Sequence, residues 1–457
     1  MSNTMGAEQR SPPLLTAMHL PWGWALLLSV MVAVLWWQWS AWALVLGPSF
    51  VLVWWLLNDG ALAIVVGFVL LSAFRLHELA EPLLSWHLPQ IFALATLAVF
   101  AWRYWIEQNV RPFWPSESRW LLGLFAATAV GTLVATNSAL AQAYLLGSWL
   151  KVVVMCFACA WLLQRPYQLQ RLACGIVGAG TIVALVALYN QWYGLELVEG
   201  SRVTIGRSYG SILGDPNDLA LVLLLPFSFA LAAVANKPEQ MARLWRWAAA
   251  ICTLLLFMAM LATQSRGGLL GIAAVSATVL HCRYTLPRWV WGLLPLFLLM
   301  LMTLAGIAER QSGGVEESGV DESAMGRLYA WQAAWFMMLD HPFFGVGLDN
   351  FYVNYFFYSP HWDGRNHAVH SSWLQVLAEV GLPGFLLFVG FYWQLLRRSY
   401  RLFRQQLAGA TWSLACFAGL VGFGVSSTFL TQAFTWPLYL MASMVWAQWR
   451  MQGGIRE

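Results

Sequence analysis

Residues 365–382 read RNHAVHSSWLQVLAEVGL, and the parsing of that stretch decides the architecture. It opens polar, with two histidines three residues apart, His367 and His370, followed by the hydroxyl residues Ser371 and Ser372. It then turns apolar, carries a single carboxylate, Glu379, and continues into a run long enough to cross a bilayer. An aqueous loop therefore enters the membrane at His370. Imidazole chemistry at such a point can act on a lipid-borne substrate.

Composition extends this reading to the whole chain. Of 457 residues, 60% are hydrophobic and only 10% charged, against about 25% charged in soluble domains. The sequence is that of an all-α polytopic membrane protein, not of a soluble or nucleic-acid-binding one. All six cysteines lie in or beside apolar runs. Cys156 and Cys159 form a C-x-x-C inside one of them, so they are expected to act as small apolar side chains rather than as a redox or metal pair.

Apolar segments of about 20 residues occur near 21–39, 41–57, 61–76, 90–106, 119–135, 143–163, 172–191, 219–235, 244–262, 267–283, 288–307, 372–396, 411–428 and 433–449, about 12 to 14 spans. Cytoplasmic loops are enriched in Lys and Arg. Placing the 164–171 loop inside makes the loops alternate and puts 17 of the 25 Lys and Arg inside. The expected layout is a cytoplasmic tail (1–20), an N-terminal transmembrane bundle (21–307), a large outer loop (308–370), C-terminal spans (371–450) and a cytoplasmic tail (451–457). The first residues show no cleavage pattern and are expected to stay as a tail. The eight remaining cations, Arg75, Lys151, Arg202, Arg207, Arg266, Arg310, Arg327 and Arg365, fall on the outer side or, for Lys151, in the outer half of a span. Such cations snorkel, pair with a carboxylate, or bind an anionic ligand.

Three outer segments carry polar motifs. In Ser201–Leu221, SRVTIGRSYGSILGDPNDLAL, Asp215 and Pro216 read as the start of a helix. The free N–H groups of that helix would favour an anion, and Arg207 lies just upstream. In Thr263–Gly271, TQSRGGLLG, Arg266 is confined to a short hairpin, and Gly267 and Gly268 would let a bulky group approach the backbone. The long loop begins acidic and Gly-Ser rich. It continues with a helical pattern at Arg327–Leu339 whose Leu328, Trp331, Ala334, Trp335 and Met338 share a face suited to the membrane surface. A turn-rich run, DHPFFGVGLDNF, follows.

The histidines leave several readings open. On a helix, His367 and His370 could bind a metal, but His341, His361, Asp363 and His77 offer no recognisable third spacing. Either could be an interfacial hydrogen-bonding group. His370 could also be a neutral, water-exposed general base. Glu379, nine residues beyond His370, would not lie beneath it on a straight helix; it is expected to be a buried polar contact or to meet Lys151 or another span.

Taken together, GRLYAWQAAWFMMLDHPFFGVGLDNF followed by HSSWLQVLAEVGLPG, with GRSYGSILGDPNDLAL and QSRGGLLG upstream, resemble the O-antigen ligase and polymerase superfamily over roughly 200–395. The resemblance implies a GT-C-like fold with a periplasmic loop and an active site facing the periplasm of a bacterial inner membrane. It also implies an inverting glycosyltransferase, without metal or other cofactor, that draws a glycan from undecaprenyl pyrophosphate. Arg207 and Arg266 would hold the donor pyrophosphate, which suits permanently charged, bidentate guanidinium groups. His370 would activate the acceptor hydroxyl, and Arg327 would support the site or the donor. His367 has no family counterpart; it and Lys151 are possible supporting residues.

Acceptors in the superfamily differ: lipid A–core for a ligase, another lipid-linked repeat for a polymerase, a protein Ser or Thr for an oligosaccharyltransferase. The short C-terminal tail disfavours the last, and ligation to lipid A–core is the leading expectation. The alternative from another class is a small-anion transporter, although transporters place their key ionisable groups near mid-membrane.

Overall fold

The computed structural model describes residues 60–79, 81–236, 243–285, 287, 289, 292–305, 322–362, 364–406 and 409–453. The chain divides into two compact units, Met1–Ala61 and Leu62–Glu457, and the described helices build the second. The expected spans over 21–39 and 41–57, the N-terminal tail, the acidic stretch over 308–321 and residues 454–457 of the C-terminal tail lie outside the described residues.

The helices in chain order are α1 (Ala61–Ala73), α2 (Leu88–Trp105), α3 (Ser118–Gly131), α4 (Ser138–Leu162), α5 (Pro166–Tyr193), α6 (Pro216–Val234) and α7 (Arg243–Ala262). They continue with α8 (Arg266–Arg283), α9 (Leu294–Leu304), α10 (Glu322–Asp340), α11 (Phe351–Tyr358), α12 (Ser372–Arg404), α13 (Ala410–Ser426) and α14 (Trp436–Met451). The only strands among the described residues are two-residue pieces, Leu197–Val198 paired with Arg202–Val203. Among the described residues, seven helical segments are long and apolar enough to cross a membrane: Leu83–Trp105, α4, α5, α6, α7, α12 and Ala410–Phe429. The all-α polytopic expectation is borne out. Cys156 and Cys159 are buried in α4 with no disulfide, as expected of small apolar side chains.

Capping residues set the starts. Asn137 accepts from the Leu140 N–H (3.1 Å) before α4, Asp215 from Asn217 (2.7 Å) and Asp218 (3.2 Å) before α6, Ser265 from Gly268 (3.2 Å) before α8, and Ser371 from Leu374 (3.4 Å) before α12. Each cap satisfies N–H groups that a helix start leaves open. The centre of the bundle is α6, packed by α5, α7, α8 and α13. Gly267, Gly268 and Gly271 seat α8 there. A Cβ on Gly268 would fall 2.7 Å from Ala220 Cβ, and one on Gly271 would fall 2.2 Å from Ser426 Oγ. The glycines beside Arg266 therefore serve close helix packing, which corrects the expectation that they open the backbone to a ligand. The outermost helices, α2 and α7, show apolar faces outward, as lipid contact requires (Ile91, Leu94, Trp247, Leu254).

The turn-rich run at Asp340–Phe351, called the signature loop below, and α12 are built as complementary halves. Inside α12, Gly381 is not helical (φ 75°, ψ −176°), and Pro383 follows. The break frees the carbonyls of Ala378 and Glu379 and the N–H of Leu382, and all three are re-used. Val346 N–H donates to Ala378 O (2.8 Å), Gly347 N–H to Glu379 O (3.1 Å), and Leu382 N–H to Pro342 O (2.8 Å). The approach is backbone to backbone: a Cβ on Gly345 (φ +64°) would fall 2.4 Å from Ala378 O. Asn350, fully buried, extends the seam to the start of α4. Its Oδ1 accepts from Asn137 N–H (2.9 Å) and Thr136 Oγ1 (3.1 Å), while Thr136 N–H donates to Val346 O (3.0 Å). Glu379 accepts from the main-chain N–H groups of Asp349 and Phe351 and from Gln375 Nε2 (3.3 Å). It is thus the buried polar contact expected, with the signature loop rather than Lys151 as its partner.

Over this seam lies a small core of its own: Ala330, Ala333, Ala334 and Met337 of α10, Val346, Phe351, Tyr355, Val369 and Ala378. The packed face of α10 is therefore the alanine face. Of the residues expected to share a membrane-surface face, Leu328 and Trp335 point outward, while Ala334 and Met338 are buried in the protein. Small side chains win because they let α10 approach α12 closely, which helical periodicity of large apolar residues alone does not reveal.

Gly345→Ala forces a side chain into a left-handed position that costs about 1–2 kcal/mol and into the Ala378 carbonyl as well. The variant is expected to lose at least about 2 kcal/mol of stability, read as a lower melting temperature in detergent. A change below about 0.5 kcal/mol would show that the seam is not needed.

Candidate functional site

The starts of α6, α8, α12 and α14 converge at one end of the bundle, and the connector between α13 and α14 joins them. Phe429 abuts Gly267, beside Arg266. Leu430 O accepts from Ser372 Oγ (2.6 Å), and Thr431 Oγ1 accepts from the His370 N–H (3.0 Å). Gln432 donates through its amide to Asp218 and through its main-chain N–H to Ser372 Oγ (2.9 Å). Basic residues mark the opposite end. Arg398 pairs with Glu117 and lies over Trp449 (4.5 Å), Arg450 lies over Phe113 (5.1 Å), and Arg283 over Phe403 (5.6 Å).

His370 sits in left-handed backbone (φ 49°) just before the Ser371 cap, so the His-x-x-His is not helical. Its ring is part-buried rather than freely exposed to water. Burial pushes its pKa down to about 4, the nearby positive charge of Arg327 pushes the same way, and Asp215 opposes. Arg327 on α10 and Asp215 at the start of α6 therefore share the field around the imidazole. His367 also contributes to that field, and its ring meets Tyr355 edge-on (5.3 Å, 73°).

The arginines expected on the outer side separate into two kinds. Arg202 is buried and donates to Thr263 O (3.2 Å) and Asn217 Oδ1 (3.0 Å), and Ser265 Oγ donates to the same Asn217 oxygen (2.9 Å). It staples the 201–217 loop to the Arg266 hairpin, and Arg75 pairs with Glu78. Arg207 opens a 3-10 turn, Arg207–Tyr209. Its N–H is held by Glu196 (2.8 Å), while its side chain is exposed, with no hydrogen bond or ion pair among the described residues. Arg266 is the first residue of α8 and is part-buried. The first N–H groups of α6, expected to attract an anion, are taken by Asp215 itself. Among the described residues no three His, Cys, Asp or Glu side chains form a metal-ligating group.

Beside this end lies a mostly apolar cavity of about 340 Å³, whose polar lining includes Lys151, Asp218, Arg75, His77 and Gln432. A π-helical turn, Leu145–Trp149, interrupts α4 where it meets the cavity, as such turns do at functional sites. Lys151 lines this cavity and has no hydrogen bond or ion pair among the described residues. Sequence reasoning missed Arg202 as a staple and passed over Asp218, Thr431 and Gln432. Asp218 stands three residues after the Asp215 cap and was legible. Thr431 and Gln432 lie between two spans without a motif.

These features define a helical membrane protein with an imidazole and exposed or part-buried guanidinium groups at one end. Residues 251–389, which include Arg266, Arg327, His367, His370 and Glu379, match the model of the O-antigen ligase family. The exopolysaccharide production protein ExoQ of Rhizobium meliloti (strain 1021) is 27% identical over 242 residues, 50% of this chain and 54% of that protein. The chain thus spans about half the length of that curated relative. The resemblance to the O-antigen ligase and polymerase superfamily is borne out.

Arg202→Met removes buried, charge-assisted hydrogen bonds and is expected to cost about 2–3 kcal/mol of stability. Arg207→Met, at an exposed side chain, is expected to stay within about 0.5 kcal/mol. Thermal melting of both in detergent checks the division, and equal losses would contradict it.

Proposed function

We propose that this chain is an inverting membrane glycosyltransferase that moves a glycan from undecaprenyl pyrophosphate to an acceptor hydroxyl, with lipid A–core as the acceptor. What carries the reading is the convergence of the α6, α8 and α12 starts on the Phe429–Thr435 connector, within the chemistry expected of the matched family. The enrichment of the opposite end in arginines supports a periplasmic site in the inner membrane, with both termini in the cytoplasm.

In this reading Arg207 and Arg266 hold the donor pyrophosphate, with Arg327 beside the base; Lys151 and His367 support the site from the cavity and from the Tyr355 contact. His370 takes the proton of the acceptor hydroxyl as its oxygen attacks the anomeric carbon. The bond from that carbon to the pyrophosphate oxygen breaks, and its electron pair leaves on the lipid pyrophosphate, where the guanidinium groups offset the developing charge. One displacement inverts the carbon. The seated anionic donor raises the imidazole's proton affinity, so the base is strongest when the donor is in place.

His370→Ala is expected to abolish transfer while donor binding persists, and Arg207→Ala to weaken donor binding, both measured with purified protein and lipid-pyrophosphate glycan. Normal transfer by His370→Ala would falsify the base assignment. Because burial holds the ring neutral down to about pH 4, kcat/KM is expected to fall through about 4 as pH drops. An acid limb near the ordinary imidazole value, about 6.5, would show that the ring is solvated.

A second reading has one observation in its favour. The ExoQ relative is named for exopolysaccharide production, which fits a polymerase whose acceptor is another lipid-linked repeat. Supplying lipid A–core and lipid-linked repeats side by side separates the two.

A further inference from the structure

The connector between α13 and α14 runs beside the first turn of α12, and its hydrogen bonds to that turn all pass through side chains. His370 N–H donates to Thr431 Oγ1 (3.0 Å), Ser372 Oγ donates to Leu430 O (2.6 Å), Gln432 N–H donates to Ser372 Oγ (2.9 Å), and Ala433 N–H donates to Gln375 Oε1 (3.2 Å). The first of these holds a residue in left-handed backbone (φ 49°). A non-glycine residue keeps that conformation only where its surroundings fix it, and such positions concentrate at functional sites. Were the acceptor at 431 lost, the His370 N–H would lose its partner, and the main chain that aims the ring would lose one of its fixed points.

Gln432 faces the other way. Its Nε2 donates to Asp218 on the cavity wall, and its Oε1 accepts from Thr435 Oγ1 (2.6 Å). The stretch that fixes the main chain of His370 is therefore also pinned to the cavity that holds Lys151. Thr431 and Gln432 lie beyond the segment matched by the family model, which ends at residue 389.

We infer that Thr431 and Gln432 are positioning residues for His370: Thr431 fixes the main chain of the imidazole, and Gln432 ties it to the cavity wall at Asp218. Whatever seats in the cavity and the base that acts beside it are thereby kept in one register. This rests on the reading of His370 as the base.

The test uses the full-length protein in detergent with lipid-pyrophosphate glycan. Thr431→Val keeps the shape of the side chain and removes the acceptor, while Thr431→Ser keeps the hydroxyl. A misplacement of about 1 Å can cost on the order of 10²-fold in rate. Thr431→Val is accordingly expected to lose on the order of 10²-fold in kcat with donor KM within about 2-fold, and Thr431→Ser to restore kcat to within about 3-fold. An unchanged kcat in Thr431→Val, or equal losses in Val and Ser variants, overturns the inference. If Thr431→Val does not fold, Gln432→Met leaves the His370 hydrogen bond intact and removes the tie to Asp218. It is expected to lower kcat about 10-fold at an unchanged melting temperature, and a wild-type kcat overturns the coupling. His370→Ala is measured alongside. If it transfers normally, the base assignment fails whatever Thr431 does; if it is inactive and Thr431→Val is normal, only the positioning role fails.

Discussion

The end of the bundle that carries the candidate site is built around a break in one helix. At Gly381 the α12 ladder stops, and the carbonyls of Ala378 and Glu379 turn to Val346 and Gly347 while Leu382 turns to Pro342. A buried main-chain group without a partner is costly, so the break exists only with the signature loop laid across it, and the loop has that path only because the helix is open. Glu379 reinforces the exchange by accepting from Asp349 and Phe351. Asn350 carries it on to Thr136 and Asn137. The loop is thereby hydrogen-bonded both to α12 and to the start of α4, and the alanine face of α10 packs over it.

On this platform charge is divided by burial. Arg202 is enclosed and fully engaged with Thr263 and Asn217, and Arg75 answers Glu78. Arg207 reaches into the open from a loop clamped by Glu196 and Glu78. Carboxylates hold the backbone in place and leave the Arg207 guanidinium group exposed. His370 is kept uncharged by burial and by Arg327, as the proposed role as a base requires.

The sequence by itself determined the membrane class, the helix start at Asp215, and the separation of the basic end from the motif-bearing end. These follow from local chemistry: apolar length, capping side chains and the distribution of Lys and Arg. It also marked Arg207, Arg266 and His370 through short motifs. Only the tertiary structure decided that Gly268 and Gly271 serve helix packing, that α10 packs by its alanines, that Arg202 is a staple while Arg207 is open, and that Thr431 and Gln432 stand against His370. Each of these turns on which distant segments touch. A glycine that admits a ligand and one that admits a neighbouring helix have the same local signature, and a threonine 61 residues beyond a histidine bears no periodic relation to it.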